Sequence, residues 1–108
     1  MFDLDNTRWF LDDAATHRFP VMIGESTPRW GGGVQQGIEA WEKWFHPFFR
    51  FIRQQPTIKA FCYINWAWDN YAEFQGWGDA RIEENALILD HYRRELAHLW
   101  YGHAQLES

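Results

Sequence analysis

The sequence predicts an α/β fold in which two parallel strands alternate with three helices in the order α-β-α-β-α. Two runs of apolar, β-prone residues, 20–25 and 58–66, are typical of buried strands. The segments 6–17, 37–55 and 82–101 instead repeat apolar residues at the three- and four-residue steps of an amphipathic helix. Roughly 30 residues lie between the two predicted strands, which suits a crossover connection between parallel neighbours.

The boundaries of these elements follow from local signals. In the first helix, Trp9, Phe10 and Ala14 fall on one face, which is the predicted buried face. Pro47 lies inside the second helical pattern and predicts a kink or a break near His46, because proline cannot donate the helical hydrogen bond. Asp79 is a candidate to cap the start of the last helix.

Composition bounds both the architecture and the function. With 108 residues, 46% of them hydrophobic, and a net charge of −5, the chain fits one ordered unit and is too acidic to favour nucleic-acid binding. No apolar run is long enough to span a membrane. No signal peptide is visible, so the compartment stays open. Cys62 has no cysteine partner and is expected as a small buried thiol inside the second strand.

Two parallel strands do not form a stable sheet alone, because both edges stay unpaired. The pattern therefore indicates a piece of a larger α/β sheet or barrel. The eight tryptophans in so short a chain further suggest that some aromatic side chains contact a ligand.

Candidate chemistry lies at the carboxyl ends of the strands, where parallel α/β folds bind their ligands. Glu25 follows the apolar run 20–24 and is interpreted either as a nucleophile or general base, or as a solvated carboxylate. Gly24 beside it permits a close approach of a substrate or backbone.

The second strand ends in polar and aromatic residues. Trp66 and Trp68 are two residues apart and would point the same way from an extended chain, offering flat faces to a sugar ring; alternatively, one of them only fills the rim of a barrel. Asn65 either binds the ligand or satisfies backbone groups. Trp30 is a further candidate, as a sugar platform or a flap.

The remaining motifs are weak. The acidic residues of the loop after the second strand, among them Asp69 and Glu73, are candidates for a second carboxylate but are more simply solvated. Gly31 to Gly33 lack dinucleotide-binding spacing, and the five histidines lack metal-ligand spacing. No cofactor and no metal are therefore expected.

The segments that carry these candidates resemble a known family. They are PVMIGESTP at 20–28, WEKWFHPFF at 41–49, IKAFCYINW at 58–66 and WGDARI at 77–82. From about Phe19 onward, the chain resembles the C-terminal quarter of clan A glycoside hydrolases, closest to the β-mannanase-like enzymes of family 26. Such enzymes are TIM (β/α)8 barrels that cleave β-linked glycans with retention of configuration.

The resemblance implies that the chain is the quarter of a barrel holding the seventh and eighth strands with their helices. Glu25 would be the catalytic nucleophile, and Trp66 the aromatic under the sugar at the cleavage point. Asp79 and Arg81 would form a structural ion pair. The family's acid/base glutamate lies on the fourth strand, which this chain lacks, so the resemblance implies a C-terminal fragment that is inactive alone.

The expected partner is a polysaccharide or oligosaccharide of the mannan or glucan type. Two other interpretations remain open at this point. The first is a non-catalytic or vestigial carbohydrate-binding domain that uses the aromatic residues. The second is a structural fragment that associates with itself through its unpaired strand edges.

Overall fold

The computed structural model describes residues 4–29, 34–98 and 101–102. Its elements occur in the predicted α-β-α-β-α order, with the middle helix made of two α-helical parts joined by a π-helical segment. They are α1 (Leu4–Thr16), β1 (Val21–Ile23), α2 (Val34–Ala40), α3 (His46–Gln54), β2 (Ile58–Phe61) and α4 (Ala86–Leu96). The α/β class is confirmed. The sheet has two strands among the described residues, so a partial TIM barrel stays a prediction.

The strands pair in parallel but are shorter than predicted. Val21 is aligned with Ile58, and Ile23 with Phe61. The register shifts after Val21, so that Lys59 has no opposite residue in β1. Beyond Ile23 and Phe61, the two segments of the chain remain paired through individual hydrogen bonds rather than a regular ladder.

Only one face of this sheet is covered among the described residues. Val21 and Ile23 pack against the hydrophobic core. Met22 lies between them on the strand and is 63% exposed, and Cys62 is exposed as well. The strands are therefore buried on one face only, and the prediction of a buried Cys62 thiol is wrong, because no described element packs on the second face.

Aromatic residues of the middle helix form most of the core. Phe45, Phe48 and Phe49 are almost fully buried and lie against Ile88 of α4. Their spacing puts them on one side of the helix, as the apolar pattern predicts. The sheet packs under them through Phe61, whose ring contacts both Phe48 and Phe49 edge-on.

Of the three residues predicted to lie on the buried face of helix α1, only Ala14 is buried. Leu11 and Ala14 are buried, whereas Trp9 is 72% exposed and Phe10 is 55% exposed. The face through Leu11 and Ala14 is as consistent with helical spacing as the face predicted. The smaller side chains pack on the core, and the two large rings extend into solvent.

The middle helix accommodates Pro47 without a break. Residues Trp41–Phe45 form a π-helical segment, and the N–H of His46 donates to the carbonyl of Trp41, five residues back. Pro47 then lies in the first turn of α3, where a missing N–H costs little. The helix therefore continues through His46, where a kink or a break was predicted, and a wider π-helical turn lies just before it.

Helix α4 begins later than predicted. The segment Ile82–Glu84 is a separate 3₁₀ turn, and the cap of α4 is Asn85, whose side-chain oxygen accepts from the N–H groups of Leu87 and Ile88. The expectation that Asp79 caps this helix is wrong, since the turn separates Asp79 from it.

Candidate functional site

The carboxyl ends of β1 and β2 lie side by side. Two hydrogen bonds extend their pairing, from the N–H of Cys62 to the carbonyl of Ile23 at 2.8 Å and from the N–H of Ile64 to the carbonyl of Ser26 at 2.9 Å. Glu25 lies between these two bonds in the chain. The Ser26 hydroxyl adds a third link by donating to the Cys62 carbonyl at 2.7 Å. The residues after both strands therefore lie together at the carboxyl end of the sheet, which we call the rim.

Glu25 is exposed on this rim. Among the described residues, no hydrogen-bond donor or basic side chain pairs with its carboxylate. The space where Gly24 would carry a side chain is also open, with no described atom within 4 Å. A ligand that binds the Glu25 carboxylate therefore displaces no partner among the described residues.

Trp66 is also exposed, at 47%, and stacks on Tyr71, which is 43% exposed. The two ring centroids are 5.7 Å apart and the planes differ by 16°. The carbonyl of Trp66 accepts the N–H of Ala80 at 2.9 Å, which anchors the base of this pair. Tyr71 therefore covers part of one face of the Trp66 ring, and this half-exposed stacked pair, the rim platform, leaves aromatic surface that suits the C–H face of a sugar ring.

Trp68 belongs to a different cluster. It starts a 3₁₀ turn, so the extended chain on which the shared direction of Trp66 and Trp68 was predicted ends before it. Its ring packs against Phe74 and Trp77. Its indole N–H donates to Oγ1 of Thr27 at 3.2 Å. That donor is therefore engaged within the chain rather than free for a sugar hydroxyl.

Both the oxygen and the nitrogen of the Asn65 side-chain amide form hydrogen bonds within the chain. Its Oδ1 accepts the N–H of Ile82 at 2.6 Å, and its Nδ2 donates to Oε2 of Glu83 at 2.8 Å. The hydrogen bond from Asn65 holds the pKa of Glu83 below its usual value. This geometry corresponds to the second predicted role of Asn65, the satisfaction of backbone groups.

Asp79 and Arg81 form a two-pronged ion pair. Nη2 of Arg81 is 2.7 Å from Oδ2 of Asp79, and Nε is 3.0 Å from Oδ1. The guanidinium hydrogen bonds lower the pKa of Asp79 and raise that of Arg81. Arg81 also approaches Glu84 at 3.4 Å. Trp30, the remaining predicted site residue, lies outside the described residues.

The loop after Trp66 is shaped by Asp69. Its carboxylate accepts the N–H groups of Gly76 and Gly78 at 3.0 and 2.9 Å. Both glycines have positive φ angles, which glycine adopts without strain. Asp69 is exposed, as expected from the sequence, and its carboxylate also holds the loop in shape.

Some rim contacts have no signal in the sequence. Thr27 accepts from Trp68, and the guanidinium of Arg29 lies 4.0 Å from the centre of the Trp77 ring. Tyr71, the partner of Trp66, lies in a loop without periodicity. Each contact joins chain segments whose approach depends on the tertiary fold.

The described residues contain neither a cluster of metal ligands nor a helix that could cross a membrane. No group of three His, Cys, Asp or Glu side chains among them is arranged to hold a metal ion. None of the helices described is both long enough and apolar enough to cross a bilayer.

Comparison with known proteins gives a distant relative. No family model matches the chain. A β-1,3-xylanase from a Vibrio species is 27% identical over an alignment of 107 positions that includes 78% of this chain. The chain is thus distantly related to a glycoside hydrolase. It spans 23% of the length of that relative.

Proposed function

We propose that this chain forms one rim of a β-glycan site in a retaining glycoside hydrolase, with Glu25 as the nucleophile and Trp66 as the platform under the sugar. The observation that carries the proposal is the common edge of the sheet, where the exposed Glu25 carboxylate and the exposed Trp66 ring follow two hydrogen-bonded parallel strands. The distant relationship to a glycoside hydrolase supports the same chemistry.

In this mechanism Glu25 attacks the anomeric carbon, and the glycosidic bond breaks as an ester forms between sugar and carboxylate. A second carboxyl, about 5 to 5.5 Å away, must protonate the leaving oxygen and later activate water. Asp69 and Asp79 are held by their own loop contacts. We therefore assign the acid to a part of the assembled site beyond this rim, and expect no turnover from the chain alone.

The assembled site that fits this rim best is a (β/α)8 barrel of the family 26 type, in which the chain contributes the last two strands. Parallel sheets are normally covered on both faces. Here the face that carries Met22 and Cys62 is exposed, as expected for residues that line the interior of a barrel.

The substrate class is a β-linked glycan. The relative is named for β-1,3-xylan, so this polymer joins mannan and glucan as a candidate. Each is tested by titrating the chain with defined oligosaccharides in a calorimeter.

Two variants make that titration specific. Trp66→Ala is expected to reduce the affinity for the preferred oligosaccharide by at least roughly tenfold, because a stacked ring is removed from the sugar face. Trp9→Ala is the matched control, because Trp9 is a more exposed tryptophan on α1. Equal affinities for the two variants would contradict the proposal.

A non-catalytic binding module is the second candidate. It is favoured by the rim platform itself, since Trp66 and Tyr71 stack without any contribution from Glu25. Under this alternative, Glu25 has no covalent role, and Glu25→Ala leaves affinity unchanged while Trp66→Ala removes it.

A further inference from the structure

The pairing of the two strand segments changes register at Glu25. In a regular parallel ladder, the carbonyls that accept from the N–H groups of Cys62 and Ile64 would be two residues apart. Here those carbonyls belong to Ile23 and Ser26, which are three residues apart. The segment after β1 therefore contains one extra residue, a one-residue bulge, and the pairing resumes beyond it.

Ser26 makes both of the ladder contacts that a regular strand would assign to Glu25. In regular pairing, the N–H of Glu25 would donate to the Cys62 carbonyl, and the Glu25 carbonyl would accept from the N–H of Ile64. Instead, the Ser26 hydroxyl donates to the Cys62 carbonyl at 2.7 Å, and the Ser26 carbonyl accepts from Ile64 at 2.9 Å. The N–H of Glu25 has no acceptor among the described residues. Glu25 is therefore the residue that the ladder skips.

The bulge decides on which side of the sheet the Glu25 side chain lies. Side chains alternate along a strand, and Val21 and Ile23 both pack against the hydrophobic core. Continued alternation would put Glu25 on the core side as well, where an unpaired carboxylate is costly. Glu25 is exposed instead, because the extra residue interrupts the alternation. Bulges beside active sites commonly redirect a side chain in this way.

We propose that Ser26 is a positioning residue for the Glu25 nucleophile. Its hydroxyl occupies the carbonyl of Cys62 that the Glu25 N–H would otherwise use. Ser26 thereby holds Glu25 outside the ladder, with the carboxylate accessible to a sugar. This inference deepens the proposed function and rests on it for the role of Glu25. Ser26 itself acts through Glu25 and takes no part in the bond changes.

Removal of the hydroxyl tests whether Ser26 holds the bulge. In Ser26→Ala the Cys62 carbonyl loses its donor, so the Glu25 N–H can pair with it and restore the regular ladder. Hydrogen exchange followed by NMR should show the Glu25 amide protected at least roughly tenfold more strongly in Ser26→Ala than in the parent. Ser26→Thr keeps a hydroxyl and should exchange like the parent. Equal exchange in Ser26→Ala and the parent would overturn the proposal.

Covalent labelling separates positioning from sugar binding. A 2-deoxy-2-fluoro-β-glycoside with an activated leaving group is incubated with each chain, and the rate of labelling at Glu25 is measured against probe concentration. Ser26→Ala should lower the maximal rate roughly tenfold to a hundredfold, because a misplaced nucleophile reacts poorly. The probe concentration that gives half of the maximal rate should change less than roughly twofold. Ser26→Thr should recover the rate of the parent.

A hydroxyl on α1 provides the matched control. The Thr16 hydroxyl donates to the carbonyl of Asp12 at 2.9 Å, far along the chain from the rim. Thr16→Ala should change neither the exchange of the Glu25 amide nor the rate of labelling. Parent-like labelling of Ser26→Ala, or an equal loss of rate in Thr16→Ala, would overturn this inference. A parent that is not labelled at Glu25 would instead overturn the proposed function, and the exchange of the Glu25 amide would still decide whether Ser26 holds the bulge.

Discussion

The indole N–H of Trp68 donates to Oγ1 of Thr27 at 3.2 Å and joins chain positions 41 residues apart. One partner follows β1 and the other follows β2, so this hydrogen bond connects the two loops that carry Glu25 and Trp66. The contact between Arg29 and Trp77 reinforces the same junction. The relative position of the proposed nucleophile and platform therefore depends on contacts between loops as well as on the sheet.

Replacing Thr27 tests this junction. Thr27→Val keeps the shape of the side chain but leaves the half-buried Trp68 N–H without its acceptor, which should cost about 1 kcal/mol of the free energy of unfolding. Urea unfolding followed by tryptophan fluorescence measures the loss. Thr27→Ser keeps the hydroxyl and should stay close to the parent. Equal losses in both variants would mean that the hydrogen bond contributes nothing.

A close contact between α2 and α4 gives a second prediction. A Cβ atom on Gly37 would lie 2.7 Å from Oδ1 of Asn85 and would also collide with its Nδ2. Because Asn85 is buried and caps α4, it cannot move away cheaply. Gly37→Ala should therefore destabilise the chain by about 2 kcal/mol, measured by urea unfolding.

The Cβ atom on Gly37 would collide only with the side chain of Asn85, and a double variant tests this. Asn85→Ala alone removes the side-chain cap of α4 and should lower the free energy of unfolding by roughly 1–2 kcal/mol. In that background Gly37→Ala should be neutral or favourable, since the clash is gone and alanine favours a helix. Simple addition of the two single costs would argue against the contact.

The turn from α1 into β1 contains a residue in a strained conformation. Arg18 has a φ of 58°, and the N–H groups of Arg18 and Phe19 donate to the carbonyls of Ala15 and Ala14. This is the glycine-favouring end of a helix. Arg18→Gly should stabilise the chain by roughly 0.5–1 kcal/mol in thermal unfolding. Arg18→Ala keeps the Cβ and should bring no such gain; a gain of equal size would point to charge rather than backbone strain.

The Asp79–Arg81 pair predicts a pH dependence. The pKa of Asp79 is lower in the folded chain because Arg81 donates hydrogen bonds to its carboxylate. The stabilisation is therefore complete above about pH 4, near the pKa of an unfolded aspartate, and is lost as the pH falls through the folded value.

Comparison of the parent with Asp79→Asn isolates this effect. The parent should be the more stable at pH 7, and the difference in urea midpoint should shrink toward zero in strong acid. A difference that is constant from pH 7 to pH 2 would show that the charge of Asp79 plays no part.

The order of elements and the rim could be predicted because they depend on local patterns. Apolar spacing gives the middle helix and the strand positions, and parallel strands necessarily bring their carboxyl ends to one edge. The position of Glu25 and Trp66 at the rim follows from that rule alone.

The predictions that are wrong concern positions where the local sequence permits two alternatives and tertiary packing decides between them. The faces of α1 through Trp9 and through Leu11 both have helical spacing, and only contact with the core selects Leu11. Asp79 and Asn85 are both capping residues, and the intervening 3₁₀ turn selects Asn85. The exposure of Cys62 depends on which sheet face is covered, and an apolar strand pattern does not specify this.

The most direct test of the central claim is to trap Glu25 on a sugar. The probe is a dinitrophenyl 2-deoxy-2-fluoro-β-glycoside of the sugar that binds best. Its leaving group departs as a phenolate and needs no acid, and the Glu25 carboxylate forms an ester bond to the anomeric carbon. Intact-mass and peptide mass spectrometry should show one fluorosugar per chain, attached at Glu25, in the parent and in Trp9→Ala but not in Glu25→Gln. A chain that stays unlabelled at saturating probe, or a label that persists in Glu25→Gln, would contradict the account.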